Sequence, residues 1–204
     1  ENLEARADEF SARLAASTGR NGTAEVVASV QRVFTYAGWC DKFEGTVHQA
    51  PANRIVLAIP EPVGVFGIIC PDESPLLSML SLLLPVMAMG NTIVLVPSER
   101  YPLLATDFYQ VLDTSDVPAG VVNIVTGSRT LLSNILAEHD GVDAVWCFGD
   151  SELGADIERW STGNLKQTWT TAGRRDWSDS QLAEGKEFLR RATQVKNLWI
   201  PYGE

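Results

Sequence analysis

The chain has 204 residues, 45% apolar and 21% charged, with a formal net charge of −10 and three cysteines. This is ordinary globular composition; it excludes disorder, collagen and a disulfide-stapled mini-protein. An acidic surface repels phosphate, so non-specific nucleic-acid or anionic-membrane binding is disfavoured. Cys40, Cys70 and Cys147 are too few for a disulfide framework and point to a reducing, cytoplasmic setting. With His48 and His139 as the only histidines, no metal site is expected. The most apolar run, Leu76 to Met89, is broken by Ser78, Ser81 and Pro85 and is too short to span a bilayer. No signal peptide is read in the charged first residues. The opening at Glu1, inside a helical pattern and without Met, reads as a piece of a longer protein.

Leu3, Ala7, Phe10 and Leu14 recur at helical spacing up to a turn at 17–22, and Val26, Val30, Val33 and Ala37 mark a second helix. Residues 46–59 read as a hairpin around Ala50-Pro51-Ala52-Asn53. From Glu61 onward, buried strands alternate with helices: strand 63–70, helix 76–89, strand 92–96, helix 102–113, strand 121–125, helix 130–138 and strand 142–148. Strands without clean alternation predict a parallel sheet covered on both faces, a Rossmann-like α/β fold. Ser151 to Trp160 is a further helix. Residues 161–185 read as a polar linker in which Trp169 and Trp177 are exposed. A short helix, 186–191, and a terminal strand, 193–200, close the chain. The expected division is a Rossmann-like domain over 1–160, with the hairpin 46–59 inserted, and a linker and tail over 161–204.

Five blocks in order resemble the aldehyde dehydrogenase superfamily. They are Tyr36-Ala37-Gly38-Trp39-Cys40-Asp41-Lys42, Glu61-Pro62-Val63-Gly64-Val65, Gly90-Asn91-Thr92-Ile93-Val94-Leu95, Pro118 to Val125, and Thr193-Gln194-Val195-Lys196-Asn197-Leu198-Trp199. The chain is most similar to the truncated second, C-terminal unit of the family 16 aldehyde dehydrogenases, the double-unit members. The resemblance implies a cofactor-binding domain plus a small β oligomerisation arm, formed here by the hairpin and the tail strand, with the catalytic domain absent.

Position by position, the resemblance implies lost chemistry. The family's Pro-Trp-Asn-x-Pro loop, whose Asn holds the aldehyde oxyanion, is Pro71-Asp72-Glu73-Ser74-Pro75 here, and Glu73 offers an acceptor-only carboxylate where a donor is needed. The Lys-Pro-x-Glu that binds the adenosine ribose is Val96-Pro97-Ser98-Glu99, keeping Pro97 and Glu99 but not the Lys. The turn Gly149-Asp150-Ser151-Glu152-Leu153-Gly154 opens a helix where the family holds pyrophosphate, but Asp150 stands in place of Ser. As an N-cap, Asp150 contributes on the order of 1 kcal/mol and occupies the donors a phosphate requires. The general-base motif Glu-Leu-Gly-Gly has two alignments. One puts Thr171 in the base's position; the other, preferred from the sequence, matches Gly173-Arg174-Arg175-Asp176 to the Gly-Arg-Glu stretch before the tail. No Cys follows Cys147, so the nucleophile is missing as well. The three cysteines present are expected to pack as small hydrophobes.

The expectation is therefore a non-catalytic module for assembly and protein–protein interaction, with vestigial cofactor positions Pro71, Pro97, Glu99, Gly149, Asp150 and Gly154. NAD is expected to bind weakly if at all. Val195, Leu198, Trp199 and Ile200 of the tail are expected to join copies of the chain, or to pack this unit against an upstream aldehyde dehydrogenase unit, by strand addition. One competing account pairs the tail with its own hairpin. Two alternatives to the module stand. One is an NAD(P)-dependent aldehyde oxidoreductase whose catalytic Cys lies in another unit of a longer chain; the other is a metabolite sensor using the old cleft.

Overall fold

A computed structural model describes residues 1–50 and 53–202. It contains two sheets. The larger is parallel and five-stranded, built from β3 (Val65–Ile69), β4 (Thr92–Val96), β5 (Val122–Ile124), β6 (Ala144–Phe148) and β7 (Gln167–Thr171) in the order β5-β4-β3-β6-β7. The chain moves outward from β3 in one direction through β4 and β5, then returns to the other side of β3 with β6 and β7. The strand order therefore reverses between β3 and β6, the topological switch point of an open α/β sheet.

Helices cover both faces. On one side lie α1 (Asn2–Ala5), α2 (Ala7–Thr18), α3 (Thr23–Ala37), α4 (Pro75–Ala88), α5 (Leu103–Asp113) and α9 (Lys186–Arg191). Their core includes Phe10, Phe66, Leu80, Leu83 and Phe188. On the other side, α6 (Arg129–Glu138) and α7 (Ser151–Trp160) bury Leu136, Leu153 and Ile157 against Ile69, Val96, Val145 and Cys147. The short α8 (Ser180–Ala183) precedes α9. Helix α4 is apolar on every side and buried from Pro75 to Val86, because it is sandwiched between the sheet and α3. Pro75 at its start needs no amide partner.

The stretch 161–185 is not a polar linker. It contributes β7, parallel to β6 with Trp146 opposite Trp169. Trp169 and Trp177, expected to be exposed, are 8% and 1% exposed. They join Trp146, Phe148 and Phe188 in an aromatic cluster at centroid distances of 4.9 to 6.3 Å, mostly edge-on, with Phe148 stacked on Phe188 and Trp169 tilted against Phe188. The polar letters around the two tryptophans hid a strand whose buried side chains are few but large. The parallel sheet thus extends past the boundary expected at 160.

The smaller sheet is antiparallel, β1 (Thr46–Gln49), β2 (Arg54–Pro62) and β8 (Thr193–Pro201), in the order β1-β2-β8. The expected hairpin is present, although its turn at Pro51 and Ala52 lies outside the described residues. The tail strand pairs with the chain's own β2 over nine positions, from Arg54↔Pro201 to Pro62↔Thr193. Within one chain this is the competing account of the tail, and it leaves the outer edge of β8 without a strand partner among the described residues.

Two buried polar side chains lock these parts together. Arg32 of α3, 4% exposed, donates to Ser81 Oγ of α4 at 2.6 Å, to the Trp177 carbonyl at 3.1 Å and to the Ala183 carbonyl, and it pairs with Glu184 at 2.9 Å. Asn91 accepts from the amides of Val63 and Gly64 at 2.7 and 3.0 Å and donates to the carbonyls of Val86 and Ala192 at 3.0 and 2.8 Å. Arg32→Met removes the guanidinium and strands its acceptors. It should lower unfolding free energy by about 3 kcal/mol or more in a urea titration. A loss below about 1 kcal/mol would show that the clamp is not energetically significant.

Candidate functional site

Because all five strands of the large sheet are parallel, their carboxyl ends share one rim. There the loop 71–75 leaves β3, Val96-Pro97-Ser98-Glu99 leaves β4, Gly149-Asp150 leaves β6 and Thr171 ends β7. The crevice outside such ends, at the switch point, is where open α/β sheets bind ligands. The structure gathers every position singled out as a vestigial cofactor or replaced catalytic residue around this rim, apart from Gly154, which lies one helical turn along α7. The tail residues Val195, Leu198, Trp199 and Ile200 belong to the other sheet.

The carboxylates on the rim are each engaged inside the chain. Asp150 accepts from the amides of Glu152 and Leu153 at 3.1 and 3.0 Å, capping α7. Glu99 accepts from the Arg129 amide at 2.8 Å. Asp72 accepts from Ser98 Oγ at 2.5 Å. Glu73 pairs with Arg174 at 3.2 Å, although Arg174 is 77% exposed and water weakens the bond. Val96 is buried and supplies no donor.

The two glycines of the turn have separate reasons. Gly149 has φ +96°, a left-handed conformation that disfavours any side chain. Its amide donates to the Thr171 carbonyl at 3.0 Å, fixing the rim between β6 and β7. A Cβ on Gly154 would lie 3.1 Å from Thr170 Cβ, so its absence lets α7 sit close on β7.

Thr171 ends the fifth strand, opposite Phe148 of β6. That position puts Thr171 on the rim, with Gly173 to Asp176 in the segment that leaves it.

Sequence reasoning did not single out Arg129. It is the first residue of α6, and its guanidinium donates to the carbonyl of Cys70, the residue just beyond β3. The available signal was a cation in the first turn of a helix, where the macrodipole opposes it. Arg174 was named only as part of a motif, and Ser98 carried no signal.

Cys70 and Cys147 are buried, and burial pushes their thiols up to about 12 and about 11, with the Arg129 charge opposing the shift in both. Cys40, expected to pack inside, is exposed instead. His139 caps the C-terminus of α6 and accepts from the Gly141 amide at 3.0 Å, a local turn. Among the described residues, no three His, Cys, Asp or Glu side chains cluster as a metal site would require, and no helix is long and apolar enough to cross a membrane.

The family model described as "Aldehyde dehydrogenase family" matches residues 1–177. Human cytosolic 10-formyltetrahydrofolate dehydrogenase is 38% identical over 133 residues, covering 63% of this chain and 15% of that protein. An aldehyde dehydrogenase of Agaricus bisporus is 32% identical over 176 residues, covering 84% of this chain and 35% of the fungal protein. Among solved structures, PnpE from Pseudomonas sp. WBC-3 superposes with a TM-score of 0.81 at 29% identity, covering 84% of this chain and 36% of that one. The chain thus spans about a third or less of the length of these relatives.

A small aromatic disulfide reagent at pH 8 should titrate Cys40 quickly in the native protein and reach Cys70 and Cys147 only after denaturation. Three fast-reacting native thiols would contradict the burial described here.

Proposed function

The chain belongs to the aldehyde dehydrogenase family, and from that premise we propose that it is a non-catalytic module of that family serving assembly. In this reading it corresponds to the truncated C-terminal unit of the family 16 members. The observation that carries it is Asp150: its carboxylate holds the two amides at the start of α7 that an incoming pyrophosphate would need, and it adds a negative charge to the same place. Val96 in place of the ribose Lys and Glu73 in place of the oxyanion donor support the same reading. The rim therefore does not fit a nicotinamide dinucleotide. The three unpaired cysteines agree with a reducing, cytoplasmic setting.

The assembly half of the proposal rests on the small sheet. Directly paired residues of an antiparallel sheet lie on one face. The register places Val47, Ile55, Leu57, Ile59, Leu198 and Ile200 together, and Val195 and Trp199 on the opposite face with Val56 and Ala58. On the first face Val47, Ile55, Ile59 and Ile200 are exposed in the single chain. The face also carries Gln49 and Lys196, but its exposed apolar residues beside an open edge strand are covered by association or become an aggregation hazard. The occupant proposed is a second copy of this chain or an aldehyde dehydrogenase unit upstream in the same protein.

A second reading is favoured by the retained Glu99, Gly149 and Gly154. The whole protein would then be an NAD(P)-dependent aldehyde oxidoreductase whose nucleophile sits in another unit. Even so, this chain by itself should give no NADH from aldehyde and NAD above a no-enzyme blank. It should bind NAD only at millimolar concentration, about 4 kcal/mol of binding free energy. Saturable calorimetric binding near about 10 μM, roughly 7 kcal/mol, would overturn the degenerate-cleft reading.

Leu198→Asp and Ile200→Asp place charge on the apolar face, and Val195→Asp and Trp199→Asp on the other. Sedimentation should show a self-associated parent chain that the first pair dissociates without unfolding. An equally associated, folded Leu198→Asp/Ile200→Asp double variant would remove this face from the assembly.

A further inference from the structure

We propose that Arg129 is a built-in occupant of the switch-point cleft, closing to dinucleotides a crevice that the sheet topology otherwise leaves open. The inference rests on the degenerate-cleft reading above and names the group that fills the cleft.

The guanidinium starts from the first turn of α6, crosses the rim and donates to the Cys70 carbonyl, immediately beyond the end of β3. Its charge bears on both Cys70 and Cys147, which follow and belong to the two strands flanking the switch point. The hydrogen bond to the Cys70 carbonyl therefore places the guanidinium at the carboxyl end of β3, one of the two strands that flank the switch point, beside the crevice where such sheets bind ligands. The Arg129 Nε is buried without a hydrogen-bond partner, so the chain leaves one donor of this cation unanswered.

The surroundings fit an occupant. A cation at a helix N-terminus is opposed by the helix dipole, so holding one there requires compensating acceptors. The Cys70 carbonyl supplies one. Glu99, the retained ribose-binding position, adds a carboxylate at the same helix start, where it accepts from the Arg129 amide at 2.8 Å. One residue thereby reaches the end of β3 with its side chain and engages Glu99 with its backbone amide. A dinucleotide would have to displace both contacts before meeting Asp150.

The test is calorimetric titration with NAD, and separately with AMP, of the parent chain and three variants. These are Arg129→Ala, the double Val96→Lys/Asp150→Ser, and the triple combining them. The triple should bind NAD about tenfold more tightly than the double, and AMP should follow the same order. Arg129→Gln, which can keep a hydrogen bond to the Cys70 carbonyl but loses the charge and the fork, replaces Ala if Ala does not fold. Equal affinities in the folded double and triple would overturn the proposal while leaving the degenerate cleft standing. Failure of both Arg129 variants to fold would also overturn it, because that makes the residue a structural keystone and not an occupant. Tight binding by the parent chain would overturn the degenerate cleft itself, and the occupant with it.

Discussion

The guanidinium of Arg32 decides where the chain goes after its last parallel strand. A charge this deep is costly unless every donor is answered. Its answers come from three places: Ser81 of α4, the carbonyls of Trp177 and Ala183, and the carboxylate of Glu184. Burial lowers its pKa, and Glu184 pulls the other way, so the cation is kept by its partners and not by solvent. The segment following β7 is thus drawn back onto α3 and α4. Trp177 is buried beside Phe148, and α9 presents Phe188 to the aromatic cluster. The return of the tail to the hairpin depends on that turn having been made.

The rim of the large sheet follows a second electrostatic logic. An acidic chain has placed Asp72, Glu73, Glu99 and Asp150 where strands end, and each finds an internal donor: a serine hydroxyl, an arginine or backbone amides. Local capping and pairing thus take up donors along the carboxyl ends of the parallel strands. A ligand at the start of α7 would have to compete with Asp150 for the same amides, because a helix start has only a few of them to offer.

Much of the fold was legible because helix and strand periods alternate cleanly from β3 to α7, with caps such as Asp150 at the joints. The strand β7 was not, because Gln167-Thr168-Trp169-Thr170-Thr171 buries only one large side chain and looks like loop composition. Its placement is decided by Trp146, which meets Trp169 edge-on at 4.9 Å. The rim positions were named through resemblance, residue by residue. The partners of those residues were not, since Arg129 meets Cys70 across 59 positions and Arg32 meets Ala183 across 151. No local pattern encodes such pairs. The tail was legible as a strand but not in its pairing, because β-propensity does not name the neighbour.

Asn91 gives the antiparallel arm a mechanical connection to the rest of the molecule. The nine paired positions of β2 and β8 make a stiff ribbon, and β2 passes into β3 through only Val63 and Gly64. Both of those amides are bonded to the Asn91 side chain, whose other end grips the Ala192 carbonyl just before β8 begins. The ribbon is therefore clamped at its root on both of its longer strands by a single amide group. A load applied to its far end is delivered to the junction of α4 and β4, not dissipated in a flexible joint. A partner docked on the ribbon would pull on a lever whose fulcrum is one asparagine.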